Sequence, residues 1–90
     1  MLTKNDLNRA LAAILTTLAE VGEAPNGHLY MALQTHDAEV YTHATYIMIL
    51  GVMLRAELVT EDGDLVELTP KGRQIAGEIE AHLAAARAAG

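Results

Sequence analysis

From Tyr46 to Leu54 the chain reads Tyr-Ile-Met-Ile-Leu-Gly-Val-Met-Leu, with no charge until Arg55. A helix lying on one side of a small domain carries charged residues on its outer face, whereas this stretch is apolar all round for more than two turns. Ile47, Leu50 and Leu54 can share an inward face, and Met48, Ile49, Val52 and Met53 cannot all join them. A chain of 90 residues has few elements with which to surround a helix. The surplus therefore predicts a partner interface made by Met48, Ile49, Val52 and Met53, in which the methionines adapt to an irregular contact. The apolar run from Ala44 to Leu54 is 11 residues, against the ~20 that a membrane span requires. No membrane contact is expected.

The segments around it read as one domain over residues 1–90, mainly α with a small β-hairpin. Thr3 followed by Asp6 forms a capping-box pair, and Leu7, Leu11, Ile14, Leu15 and Leu18 recur at helical spacing until Gly22. Glu23 to Gly27 is turn material. A short helix from about His28 to Gln34 should point Leu29 and Leu33 inward. Asp37 can cap a third helix from Ala38 to about Ala56. The hairpin is predicted at about 58–68, turning on Asp62-Gly63. Thr69-Pro70 then opens a last helix over about 70–88, with Ile75, Ile79 and Leu83 as its stripe.

Three groups of residues carry a family likeness: Leu54-Arg55-Ala56-Glu57-Leu58-Val59, Asp62-Gly63-Asp64-Leu65-Val66-Glu67-Leu68 and Thr69-Pro70-Lys71-Gly72-Arg73. Together with the order helix-helix-helix-hairpin-helix they resemble the winged helix-turn-helix regulators of the MarR and PadR groups. The resemblance implies a dimeric transcription regulator, with the third helix in the major groove and the wing tip on the DNA backbone. By position the reading segment is Thr42 to Met53 and the wing tip Glu61 to Asp64. On this alternative, DNA contacts fall to Thr42, His43, Thr45 and Tyr46, supported by Arg55, Lys71 and Arg73. The terminal helices would build a homodimer, their Ala-rich faces allowing close approach.

Charge opposes the DNA reading. Acids outnumber Lys and Arg by 12 to 6 over the chain, for a net charge of −6. Between His36 and Glu67 the one base is Arg55, against seven acids: Asp37, Glu39, Glu57, Glu61, Asp62, Asp64 and Glu67. A wing tip of Glu-Asp-Gly-Asp repels phosphate and lacks the cations that dominate non-specific affinity. Glu57 stands where the family usually has Gly, and the third helix begins several residues early relative to the family. Base-reading positions would include Ile47, Met48 and Val52, which offer base edges no hydrogen bonds.

Catalytic chemistry finds little to work with. The chain has neither Cys nor Ser, no Gly-rich phosphate loop and no His-Glu-x-x-His motif. His36, Asp37, Glu39 and His43 are metal-ligand residue types, and Glu39 and His43 would share a helical face, but nothing completes a coordination sphere. Neither an enzyme, a metal nor a cofactor is expected. The absence of Cys and of an apolar leader fits a cytoplasmic protein. The sequence thus predicts a winged-helix binding module acting through protein contacts, as a homodimer or with a larger partner. A DNA-binding regulator is the alternative.

Overall fold

The computed structural model describes residues 2–89, the side chain of Ala89 apart. The elements run α1 (Lys4–Val21), β1 (Glu23–Pro25), α2 (Asn26–Asp37), α3 (His43–Arg55), β2 (Val59–Asp62), β3 (Leu65–Leu68) and α4 (Pro70–Ala89). The fold is mainly helical, with a three-stranded antiparallel sheet in the order β1-β3-β2. Among the described residues no helix is long and apolar enough to cross a membrane.

Helix α1 begins as its sequence dictates. Asp6 N donates to Thr3 Oγ1 at 3.0 Å while Thr3 N donates to Asp6 Oδ2 at 3.1 Å, so two donors of the first turn are satisfied reciprocally. The backbone bond from Thr3 holds the Asp6 carboxyl below the usual carboxylate range. Ala10, Ile14, Leu15 and Leu18 lie in the core, with Leu7 and Leu11 packed at its edge. Gly22, at a φ of 86°, ends the helix.

Three elements depart from the sequence expectation. Glu23–Pro25 is an edge strand, paired Glu23↔Glu67, Ala24↔Val66 and Pro25↔Leu65. Its Pro is tolerated because an edge strand has one side free of ladder bonds. Helix α2 is longer at both ends than His28–Gln34, and its Leu29 and Leu33 are fully buried. Asp37 closes α2 rather than capping the next helix: its Oδ1 accepts from the backbone N–H of Glu39 and Val40. The cap of α3 is Thr42, whose Oγ1 accepts from Thr45 N. Residues 38–42 are therefore a connection, and Glu39 and His43 do not share a helix.

The buried positions of α3 are Tyr46, Ile49, Leu50 and Met53, the i, i+3, i+4, i+7 stripe of a helix packed on one side. Ile47 is half exposed and Leu54 only partly buried, so the inward face is not the one the sequence suggests. An all-apolar segment has no charges with which to phase itself.

The end of α3 is a Schellman turn. Leu58 N donates to Met53 O and Glu57 N to Leu54 O, at 2.9 and 3.1 Å. The turn places Glu57 in the left-handed region, φ 61°, a conformation that costs an L residue about 1–2 kcal/mol. Immediately afterwards α4 is locked onto the same turn. Thr69 N donates to Leu58 O, Thr69 Oγ1 to Glu57 O, and Lys71 Nζ to Ala56 O, while Thr69 Oγ1 accepts from Gly72 N. A Cβ at Gly72 would collide with the Leu58 carbonyl oxygen and lie 3.1 Å from Leu68 Cδ2. Ala76 is buried one turn on, and Leu83 is exposed, so small residues rather than the Ile75–Ile79–Leu83 stripe sit at the centre of the α4 contact.

The hairpin closes on the Asp62↔Leu65 pair, leaving Gly63 and Asp64 as its two central residues. Gly63 has a φ of 61° and Asp64 is not among the positive-φ residues, the pattern of a II′ turn with Gly first. The expected Asp62-Gly63 turn is thus displaced by one residue.

Two substitutions check this junction by thermal or urea unfolding. Glu57→Gly is expected to stabilise by about 1 kcal/mol through relief of the left-handed strain. Gly72→Ala is expected to destabilise by about 3 kcal/mol and lower Tm by more than about 10 °C, because the obstruction is backbone and cannot swing away.

Candidate functional site

One side chain ties three elements together. Asn26, the first residue of α2, donates its backbone N–H to Asp64 O at 2.9 Å, pinning the helix start to the hairpin turn. Its Oδ1 accepts the Tyr46 hydroxyl at 2.6 Å, and its Nδ2 donates to Glu61 Oε2 at 2.7 Å and Asp64 Oδ1 at 3.3 Å. Only a carboxamide offers an acceptor to the tyrosine and donors to the carboxylates from one group. Burial, with Glu61 and Asp64 nearby, pushes the Tyr46 hydroxyl well above the ordinary tyrosine range.

These residues form the wall of a groove of about 250 Å³ lined by Asn26, Gly27, Tyr30, His43, Tyr46, Ile47 and Asp64. The Tyr30 ring meets the His43 ring edge-on, with centroids 5.5 Å apart, and lies 6.0 Å from that of Tyr46. Beside the groove runs the outer face of α3: His43, Ala44, Ile47 and Met48 are exposed, and Gly51 is half buried. Ile47 and Met48 keep 50% and 48% of their surface exposed, against a charge-free stretch of helix. The Arg55 guanidinium folds back toward Gly51, 3.4 Å from where a Cβ would stand.

The four residues expected at a partner interface divide. Met48 is on the surface and Val52 is half buried, but Ile49 and Met53 are fully buried in the core of the chain itself. On α3 the exposed large apolar residues are Ile47 and Met48. The residues named for DNA contact divide as well. Tyr46 is 1% exposed and its hydroxyl is already bonded, so it cannot reach a base edge. Thr42 and Thr45 bond each other at 3.1 Å at the start of α3, beside exposed His43. Arg55 and Lys71 lie at the opposite end of α3, where Lys71 Nζ caps the Ala56 carbonyl. Arg73 is exposed on α4. The cations therefore do not gather with the hydroxyls and His43.

Asn26 and Tyr30 went unnoticed in the sequence. Asn26 follows a proline and precedes Gly27, so it reads as turn. Its role depends on Glu61 and Asp64, more than thirty residues away.

A second cleft, of about 400 Å³, lies between α1, the end of α2 and Leu83 of α4. Its acids have other employment. Asp6 completes the α1 capping box, and Asp37 holds the turn after α2. Tyr41, also on its wall, is buried and donates its hydroxyl to Asp6 O at 2.8 Å. Arg9 and His36 also line it and are exposed. Among the described residues no group of three or more His, Cys, Asp or Glu is placed to hold a metal ion.

Comparison with protein-family models, with curated proteins and with solved structures finds no match for this chain.

The buried hydroxyl has a pH signature. The unfolded chain ionises tyrosine near pH ~10, whereas folded Tyr46 resists ionisation. The stability this group confers is present below that pH and lost as pH rises above it. Tyr46→Phe should cost about 1–2 kcal/mol at neutral pH, chiefly by leaving Asn26 Oδ1 unpaired. It should also flatten the alkaline fall in urea-unfolding free energy, leaving the smaller share contributed by Tyr41, whose pKa burial also raises.

Proposed function

We propose that this chain is a non-enzymatic winged-helix binding module that meets another protein through the outer face of α3. The winged-helix reading is supported by the order α1-β1-α2-α3-β2-β3-α4 with a β1-β3-β2 sheet. It is supported also by the start of α3 at His43, which removes the extra turn that set the sequence apart from the MarR and PadR pattern. Glu57 in a left-handed conformation is a further agreement, since that is the position where those regulators usually carry Gly.

One observation carries the functional reading. Where a DNA-reading helix would present donors and acceptors along its length, α3 presents His43 in its first turn and then Ala44, Ile47, Met48 and Gly51. Half-exposed Ile and Met side chains gain from leaving water, at roughly 25 cal/mol per Å² of apolar surface covered. The wing turn beside them carries Glu61, Asp62 and Asp64, which repel a phosphate backbone. A homodimer would use a different surface. Residues 81–88 of α4 are exposed along their whole length and rich in Ala, suited to close helix pairing with a second copy. That leaves α3 free.

Fluorescence anisotropy with mixed-sequence duplex DNA at low salt, together with light scattering, tests this. The expected result is a dimer mass, no DNA binding, and a Met48→Glu variant that melts within about 3 °C of the wild type, as a surface substitution should. DNA binding that falls steeply with salt and is lost on Arg55→Ala and Arg73→Ala would replace the protein-contact reading with a DNA-binding regulator.

A further inference from the structure

The outer face of α3 does not end in neutral surroundings. On its wing side the groove wall is Asp64, and Glu61 stands behind it against Asn26. The Asn26 amide is uncharged, so its bonds to Glu61 and Asp64 orient two carboxylates without neutralising either. Asp62 points from the other face of the sheet, in the same turn. His43, at the start of α3, lines the groove with Tyr30, and Arg55, at the end of the helix, folds its guanidinium back toward Gly51, about one turn beyond Ile47. The groove thus joins an apolar strip to a rim of carboxylates whose hydrogen-bond partner is a neutral amide.

We infer that the occupant of this face is a basic amphipathic helix of another protein, its apolar side seated on Ile47 and Met48 and its Lys or Arg side chains directed at the wing-turn carboxylates. This rests on the reading of α3 as a protein-binding surface and adds the chemistry of the partner. A helix laid in a groove anchors through apolar residues at i, i+3, i+4 and i+7, which matches a strip flanked by helices on one side and a turn on the other. Charge decides among occupants. A second copy docked on this face would bring two acidic hairpin turns, each carrying Glu61, Asp62 and Asp64, close to one contact. Nucleic acid meets the same repulsion. A cationic helix is attracted to the rim and covers the apolar strip in one placement.

The probe is a labelled 18-residue amphipathic Leu/Lys peptide, with its Leu/Glu counterpart as control, titrated by fluorescence anisotropy against the full chain. Two variants dissect the contact: Ile47→Ser/Met48→Ser removes apolar surface without adding charge, and Glu61→Gln/Asp64→Asn removes the rim charge with little change of shape. Thermal melts verify that each is folded. The expected result is that the Leu/Lys peptide binds, that each variant weakens binding about tenfold, and that the Leu/Glu peptide does not bind. Absence of Leu/Lys binding, or Leu/Lys binding that either variant leaves unchanged, overturns the inference. Equal binding of both peptides, lost in Ile47→Ser/Met48→Ser, overturns the basic partner but keeps α3 as a protein surface. Binding of both peptides that is indifferent to that variant overturns both.

Discussion

The approach of α4 to the Leu58 carbonyl at Gly72 is the constraint on which the rest of the molecule hangs. Within sixteen residues, Ala56 to Lys71, the chain ends one helix, makes a hairpin and starts another. The backbone groups exposed at the helix ends are satisfied by each other across this junction. The Glu57 and Leu58 carbonyls accept from Thr69, and the Ala56 carbonyl accepts from Lys71. Thr69, Pro70, Lys71 and Gly72 are thus explained by what each does in the turn: cap, first helical residue, carbonyl clamp and close approach. With the junction set, the hairpin is aimed so that its turn meets the start of α2, where Asn26 receives it.

That second meeting gives the site its character. Tyr46 faces inward from α3, Asn26 passes its bond to the β2–β3 hairpin turn, and Glu61 and Asp64 are thereby held against a neutral amide instead of a cation. The carboxylates are ordered by an uncharged partner. The next residue, Ile47, lies about 100° round the same helix turn and is half exposed, so a buried polar chain and an exposed apolar strip begin at consecutive residues of α3. Fixing one orients the other.

Much of this was legible in local sequence where local chemistry decides. Thr3 and Asp6 announce the start of α1, Leu29 and Leu33 the buried side of α2, and Thr69-Pro70 the start of α4. What escaped depends on distance. Glu23–Pro25 has no alternation of its own and becomes a strand because β3 pairs with it forty or more residues later. The phase of α3 was unreadable because every candidate face was apolar. It is settled by Tyr46, whose hydroxyl needs Asn26, and by the Thr42 cap, which sets the helix start. Ile49 and Met53 followed Tyr46 into the core, and Ile47 was left outside.

The chain has no Trp or Phe, so its near-ultraviolet absorbance rests on three tyrosines. Tyr30 and Tyr46 sit 6.0 Å apart at the wall of the α2–α3 groove, at an interplanar angle of 57°. Tyr41 is buried on the far side against α1. Two of the three chromophores are therefore neighbours in a fixed, chiral arrangement beside the surface where binding would occur. The protein carries its own optical label at the place where one would otherwise be introduced, and near-ultraviolet circular dichroism reads the α2–α3 seam without any added dye.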